Sequence, residues 1–460
     1  MLAAVILNSD DEAVKSSDPL NELRALAQTA GVEPVGQMIQ FRQGMDVRTC
    51  FGKGKLSELE AAVKELRVGV VIFDHDLSPS QLRNIEKQLS CKVLDRSELI
   101  LDIFANRATT RAARLQVEIA QLQYTAPRLR AMWSHLGQVT GGSPMGVGTR
   151  GPGEQQLEID RRLVARRVVA LKRELAEVQA RKSREVQARC AEHFTVGIVG
   201  YTNAGKSTLF NALTRGGAFA NDQLFATLQT RTESWTVGAA NTVLLSDTVG
   251  FIQRLPHHLV ASFRATLEET VHSHLLLLVV DAADPRSLAQ LATVREVLDG
   301  IGATGQPRIV VLNKVDKLVH SQKSGSEAPM SLAEWREREP TALAISARTG
   351  EGFEALRSHV LGAMLGEVRS VEIRIPLRDG RAVDYLESHA QVTARDYDEE
   401  HCILSAQVAR RHLEQLIAMG SRFRVNGLAV HEALKSLWPP AATASAQRIP
   451  LHERLVGDGA

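Results

Sequence analysis

Eight consecutive residues, Gly200-Tyr201-Thr202-Asn203-Ala204-Gly205-Lys206-Ser207, constrain this chain more than any other stretch. The pattern G-x-x-x-x-G-K-[ST] needs a strand before it and a helix after it, because its chemistry depends on backbone N–H groups converging at a helix N-terminus. Both flanks comply. Residues 194–199 are apolar and β-branched like a buried parallel strand, and residues 208–213 begin an apolar helical pattern. In such a loop Gly200 and Gly205 let the backbone close on phosphate oxygens, Lys206 reaches the β and γ phosphates, and Ser207 offers its hydroxyl to Mg²⁺. A chain of this length meets the pattern by chance on the order of 1% of the time. The reading therefore depends on partners further along.

Those partners follow in order. Asp247-Thr248-Val249-Gly250 ends the strand-like run 242–246, where a carboxylate can hold Mg²⁺ through water and a glycine N–H can meet the γ-phosphate. Asn313-Lys314-Val315-Asp316 ends the buried run 309–312, and the carboxylate of N-K-x-D can accept two hydrogen bonds from the N1 and N2 donors of guanine. Ser346-Ala347-Arg348 ends a third run, 342–345, and its backbone would close over the base. Elements at the carboxyl ends of successive strands predict a GTP-binding α/β domain over residues 191–366. A threonine sensing the γ-phosphate must lie between the loop and Asp247; Thr227, Thr230 and Thr232 are candidates that spacing does not separate.

Two positions bear on mechanism. After D-x-x-G, where Ras-like enzymes place a water-orienting glutamine, stands Phe251, so intrinsic hydrolysis is expected to be slow and completed from outside. Asn203 occupies a loop position from which some GTPases coordinate K⁺; it reads equally as a turn former.

At 460 residues the chain exceeds one core, and its 44% hydrophobic and 23% charged content is that of an ordinary globular protein. Its four cysteines form no C-x-x-C pair, which disfavours zinc and disulfides and fits a reducing cytoplasm. Residues 1–8 lack a basic leader region, and the most apolar run, 275–280, is far short of the roughly 20 residues of a membrane span. Period switching between 2 and 3.6 predicts a small α/β domain over residues 1–108. In it Asp74-His75-Asp76 reads as a solvated loop in preference to a metal cluster.

Residues 109–190 turn helical. Leu115, Ile119 and Leu122 share one face, and Val164, Val168, Leu171, Leu175 and Val178 alternate by four and three, predicting an antiparallel helical hairpin. From Arg161 to Cys190, ten Lys/Arg stand against three Asp/Glu, a local +7 in a chain of net charge +2. Arg161, Arg162, Arg166 and Arg167 are the candidate polyanion contacts. Between the helices, six glycines in the thirteen residues Gly141 to Gly153, with Arg150, predict a flexible loop able to approach a nucleic-acid backbone. Beyond residue 366 the order strand (371–375), helix (381–388), strand (391–394), strand (402–406), helix (408–418) predicts a small α+β domain over 367–460 with a disordered tail from 439, and residues 320–340 read as an exposed insertion.

Taken together, Asp95-Arg96-Ser97 through Phe104, Leu115-Gln116-Val117-Glu118, Arg150-Gly151-Pro152-Gly153-Glu154 through Arg162, Asp247 through Ile252 with Leu255-Pro256-His257, and Phe263-Arg264-Ala265-Thr266-Leu267-Glu268 resemble the HflX family of ribosome-associated GTPases. The chain departs from it in an extra Ser143-Pro144-Met145 and in Glu154-Gln155-Gln156. The resemblance implies that Phe225-Ala226-Thr227-Leu228 is the switch segment, binding nucleotide together with Gln229, with Thr227 the Mg²⁺ ligand beside Ser207 and, through water, Asp247. Lys206, Thr227 and Gly250 are then the catalytic set. It further implies GTP and GDP as ligands, a monomer in the cytoplasm, and binding to the large ribosomal subunit through its RNA, coupled to splitting or rescue of ribosomes. Peripheral membrane association stays open, as do an RNA-binding scaffold with structural GTP and an ATP-driven remodeller.

Overall fold

A computed structural model describes residues 1–7, 18–133, 152–214, 230–238, 241–252, 268–318 and 329–438. These form two compact units: Met1–Trp235 with Val243–Leu356, and Thr236–Thr242 with the chain from Arg357 onward.

The first unit opens with β1 (Leu2–Leu7), α1 (Asn21–Thr29), β2 (Gln37–Arg42), α2 (Lys53–Glu65), β3 (Val70–Phe73), α3 (Pro79–Leu89), β4 (Lys92–Asp95) and α4 (Arg96–Arg107). The strands pair in the order β2-β1-β3-β4, all parallel, as short apolar runs separated by helical crossovers must. Asp95 caps α4 at the Glu98 N–H. Its fully buried carboxylate also accepts from the Tyr124 hydroxyl, from Arg128 at 2.5 Å and from the Leu77 N–H at 3.1 Å. Burial raises the Asp95 carboxyl above the usual range, opposed by the Arg128 charge. The Asp74–Asp76 segment is a loop with Asp76 exposed, and it is tied to α4: Asp74 pairs with Arg96 at 2.6 Å and Asp76 accepts from Ser97.

The hairpin consists of α5 (Arg111–Trp133) and α6 (Pro152–Glu192), both longer than the periodicity suggests. Pro152, expected in the flexible loop, instead starts α6, where proline's missing N–H costs nothing. Leu115 and Ile119 are buried against Leu171 and Leu175, with Leu122, Val168 and Val178 beside them. Across the seam Arg111 pairs with Glu174 and Glu118 with Arg167, so seven residues forward on one helix are seven back on the other, the antiparallel register.

The six-stranded sheet is built from β5 (Thr195–Gly200), α7 (Lys206–Thr214), β6 (Arg231–Thr236), β7 (Thr242–Asp247), α8 (Glu268–His272), β8 (Leu275–Asp281), α9 (Ser287–Gly300), β9 (Arg308–Asn313), α10 (Val315–Leu318), α11 (Leu332–Arg338), β10 (Leu343–Ala344) and α12 (Phe353–Leu365). Its order is β10-β9-β8-β5-β7-β6, parallel from β10 to β7. Successive strands depart to opposite sides of β5, which leaves a crevice at its carboxyl end. The stretch 320–340 is not wholly exposed. After residues 319–328, which lie outside the described set, a Ser331–Glu334 capping box starts α11 and Trp335 is fully buried in the core. Its indole surface outweighs the polar neighbours that made the stretch look like a surface loop. One apolar cluster joins Leu20 and, in α1, Leu23 and Leu26 to Val199, Tyr201, Phe251 and Leu276.

The second unit runs β11 (Val368–Pro376), α13 (Gly380–His389), β12 (Gln391–Tyr397), β13 (His401–Ala409), α14 (Arg410–Ala418), β14 (Arg424–Val425), β15 (Leu428–Ala429) and α15 (Val430–Leu437). Antiparallel order β12-β13-β11-β14-β15 makes it a βαββαβ sandwich with a small extension. Val408 and Ala409, read as helical, end β13, where both are fully buried. The expected tail from 439 lies outside the described residues.

Candidate nucleotide site

The residues singled out in the sequence converge at the carboxyl ends of β5, β7, β9 and β10. Gly205 has φ +91°, and a Cβ there would lie 2.3 Å from Asn313 Nδ2, so glycine is required twice over. Asn203 takes φ +62°, a left-handed turn that asparagine tolerates, and its carbonyl accepts from Lys314 Nζ at 2.7 Å. Lys206 is buried, and its Nζ donates to the Tyr201 carbonyl at 2.7 Å. Desolvation lowers its ammonium to about 8; Asp247 opposes the shift and Lys314 adds to it. Ser207 Oγ donates to Asp247 Oδ2 at 2.8 Å, so a hydroxyl and a carboxylate already meet beside Lys206. These are the hard oxygen donors that Mg²⁺ takes.

Asn313 bridges two loops. Its Nδ2 donates to the Ala204 carbonyl at 2.9 Å and its Oδ1 accepts from the Ala347 N–H at 2.9 Å. Lys314 also pairs with Asp281 at 2.7 Å, while the Ser346 hydroxyl donates to Asp316 Oδ1 at 2.7 Å. Val315 is buried and Arg348 exposed. Thr248, although within D-x-x-G, donates to the Ile198 carbonyl at 2.7 Å and so secures β7 to β5. Beyond Val249 and Gly250, Phe251 is buried; its N–H donates to the Gly200 carbonyl and its carbonyl accepts from the Thr202 N–H at 2.7 Å.

Thr230 and Thr232, two of the three threonine candidates, donate to Glu269 at 2.9 and 3.1 Å. The third, Thr227, lies outside the described residues with Phe225, Ala226, Leu228 and Gln229, as do Arg150 and the loop up to Gly151. Arg161, Arg162, Arg166 and Arg167 are exposed along α6. Sequence reasoning missed Asp281, Glu22 and Glu269. Asp281 carried a signal, a lone carboxylate ending a buried strand as Asp247 does; the other two carried none.

A phosphate loop with a buried lysine, a carboxylate at the neighbouring strand end and an N-K-x-D segment bonded to that loop define a P-loop GTPase. Family models agree along the chain: "GTP-binding GTPase N-terminal" matches residues 17–105, "GTP-binding GTPase Middle Region" 107–189 and "50S ribosome-binding GTPase" 195–314. The chain belongs to the HflX family of GTPases: it is 41% identical to GTPase HflX of Escherichia coli (strain K12), over 86% of this chain and 90% of that protein. It is 38% identical to GTPase HflX of Caldanaerobacter subterraneus subsp. tengcongensis, over 90% and 92%. Among solved structures, that of SsGBP with GDP is 25% identical and covers 78% of this chain and 96% of that one at a TM-score of 0.45. No described helix is long and apolar enough to cross a membrane.

Proposed function

We propose that this GTPase docks its basic hairpin on the RNA of the large ribosomal subunit and couples GTP binding and hydrolysis to splitting or rescue of the ribosome. The observation that carries the reading is the hairpin itself. Its seam buries Leu115, Ile119, Leu171 and Leu175, which leaves Arg161, Arg162 and Arg166 exposed on a single continuous helix, with Arg167 exposed at the edge of the seam and paired to Glu118. Clustered exposed guanidiniums suit a phosphate backbone.

In the nucleotide site, Lys206 leaves the Tyr201 carbonyl for the β and γ phosphates, and the amides of residues 203–207 hold their oxygens. Ser207, Thr227 and, through water, Asp247 would hold Mg²⁺, which supplies neutralisation of the phosphates. The Gly250 N–H meets the γ-phosphate. Asp316, oriented by Ser346, accepts from guanine, and the Ala347 backbone covers the base. Phe251 turns its carbonyl and N–H to the phosphate loop and brings no hydrogen-bonding side chain to water, so turnover awaits a group from outside. Asn203 is the residue that would place K⁺; equal turnover in K⁺ and Na⁺ would refute that part.

The test is GTP turnover with and without purified large subunits, together with co-sedimentation across a salt series. Stimulation and salt-weakened binding are expected. Absence of stimulation, or binding indifferent to salt, would overturn the reading.

A further inference from the structure

Glu269, in the first turn of α8, is a buried carboxylate on which three elements meet. Its Oε1 accepts from Thr230 Oγ1 at 2.9 Å and lies 3.7 Å from Lys182 Nζ of α6; its Oε2 accepts from Thr232 Oγ1 at 3.1 Å. Lys182 also donates to Thr230 at 3.1 Å, and Arg189, two turns further along α6, donates to Thr232 at 3.3 Å. The Thr232 hydroxyl lies 3.1 Å from that of Ser246, the residue before Asp247.

The position of this node decides what it can do. Thr230 stands three residues after Thr227, Glu269 lies in the first turn of the helix α8, and Ser246 precedes the carboxylate that faces Ser207. Both cations that bind the node belong to the helix that bears the exposed arginines. From Arg161 to Lys182 that helix is unbroken, roughly 30 Å at 1.5 Å per residue. A continuous helix joins its basic end mechanically to Lys182. At Lys182 the side chain is 30% exposed and at Glu269 8%, which places the pair where screening is weak.

We propose that Glu269 is a positioning residue through which the basic helix sets the segments flanking Thr227 and Asp247. A polyanion bound on the arginines then raises GTP turnover by way of Lys182, Glu269 and Thr230. The inference rests on the reading that the basic face docks on ribosomal RNA. It adds the route by which docking reaches the site.

The experiment uses the full chain with Glu269→Gln, Lys182→Met and Lys182→Arg. Glu269→Gln keeps the shape and one acceptor oxygen, removes the charge and turns the other acceptor into a donor, to which a threonine hydroxyl can rotate to accept. For each, co-sedimentation with purified large subunits is measured in a non-hydrolysable GTP analogue, and turnover with and without subunits. Glu269→Gln and Lys182→Met are expected to bind subunits and turn over GTP alone like the parent, while the stimulated kcat falls about tenfold with KM unchanged. Lys182→Arg is expected to retain stimulation. Stimulation undiminished in both charge-removing variants, or basal and stimulated rates falling together, would overturn the inference and leave the docking reading intact. A parent protein that neither binds nor responds to subunits would overturn the docking reading and the inference with it.

Discussion

The hydroxyl of Tyr201, second residue of the phosphate loop, donates to the carboxylate of Glu22 at 2.5 Å, across 179 positions of sequence. Glu22 belongs to α1 of the N-terminal sheet and is held in turn by Arg96, which also grips Asp74 at 2.6 Å. The main chain of the same tyrosine carries Lys206 on its carbonyl. The phosphate loop is thus fastened at one residue to the domain in front of it.

Removing members of this chain should have graded effects. Tyr201→Phe loses one hydrogen bond to an ionised group, about 1.5–3 kcal/mol. Arg96→Met strands Glu22 and Asp74 without their cation, and breaking a buried pair this way costs about 3–5 kcal/mol. Urea unfolding of the full chain measures both; an Arg96→Met protein as stable as Tyr201→Phe contradicts the network.

The lysine of the loop titrates within reach. With its ammonium lowered to about 8, Lys206 loses its proton above that pH in the free protein. Bound phosphates favour the charged form, so binding takes up a proton and affinity weakens as pH rises past 8, by about tenfold per unit at the limit. Calorimetry of GTP binding at pH 8.5 in two buffers of different ionisation enthalpy should show uptake, absent in Lys206→Arg. Lys206→Ala should abolish turnover.

In the second unit, burial and the neighbouring His389 and Arg411 charges depress the His412 imidazole to about 4, and its Nδ1 accepts from the Ala409 N–H at 3.3 Å. Its unfolded value is near 6.5, so the unfolded chain binds more protons between the two. Stability from this group is complete above pH 6.5 and declines as pH falls toward 4, by about 3 kcal/mol. Protection factors of the β13 amides, measured from pH 7 to 4.5 with the slowing of intrinsic exchange divided out, should fall, and His412→Gln should flatten the response.

The exposed arginines predict a salt law. Exchanging Arg161, Arg162, Arg166 and Arg167 for Gln should make the slope of log affinity against log salt shallower by about one for each phosphate that is no longer neutralised. An unchanged slope places the RNA-binding face elsewhere.

Much of this was readable in the order of residues. The phosphate loop, Asp247, Asn313–Asp316 and Ser346 declare themselves because each sits where a buried strand ends, and strand ends are marked by an abrupt change from apolar to polar residues. The hairpin declares itself by spacing, since a helix repeats every 3.6 residues whatever it packs against. Reading failed where burial depends on a distant partner. Trp335 lies among polar neighbours, and β13 takes in Val408 and Ala409 because β11 is there to pair with them.

By itself, then, the sequence determined which chemistry the chain carries and which strands present it, because those are properties of a few adjacent residues. Tertiary structure decided what the chemistry is attached to. That Glu22 would hold Tyr201, or that Glu269 would collect Thr230, Thr232 and Lys182, follows from the packing of α1 and α6 against the nucleotide domain. A single carboxylate on a helix has no local pattern; its role is set by which groups the fold brings within hydrogen-bonding distance and shields from water.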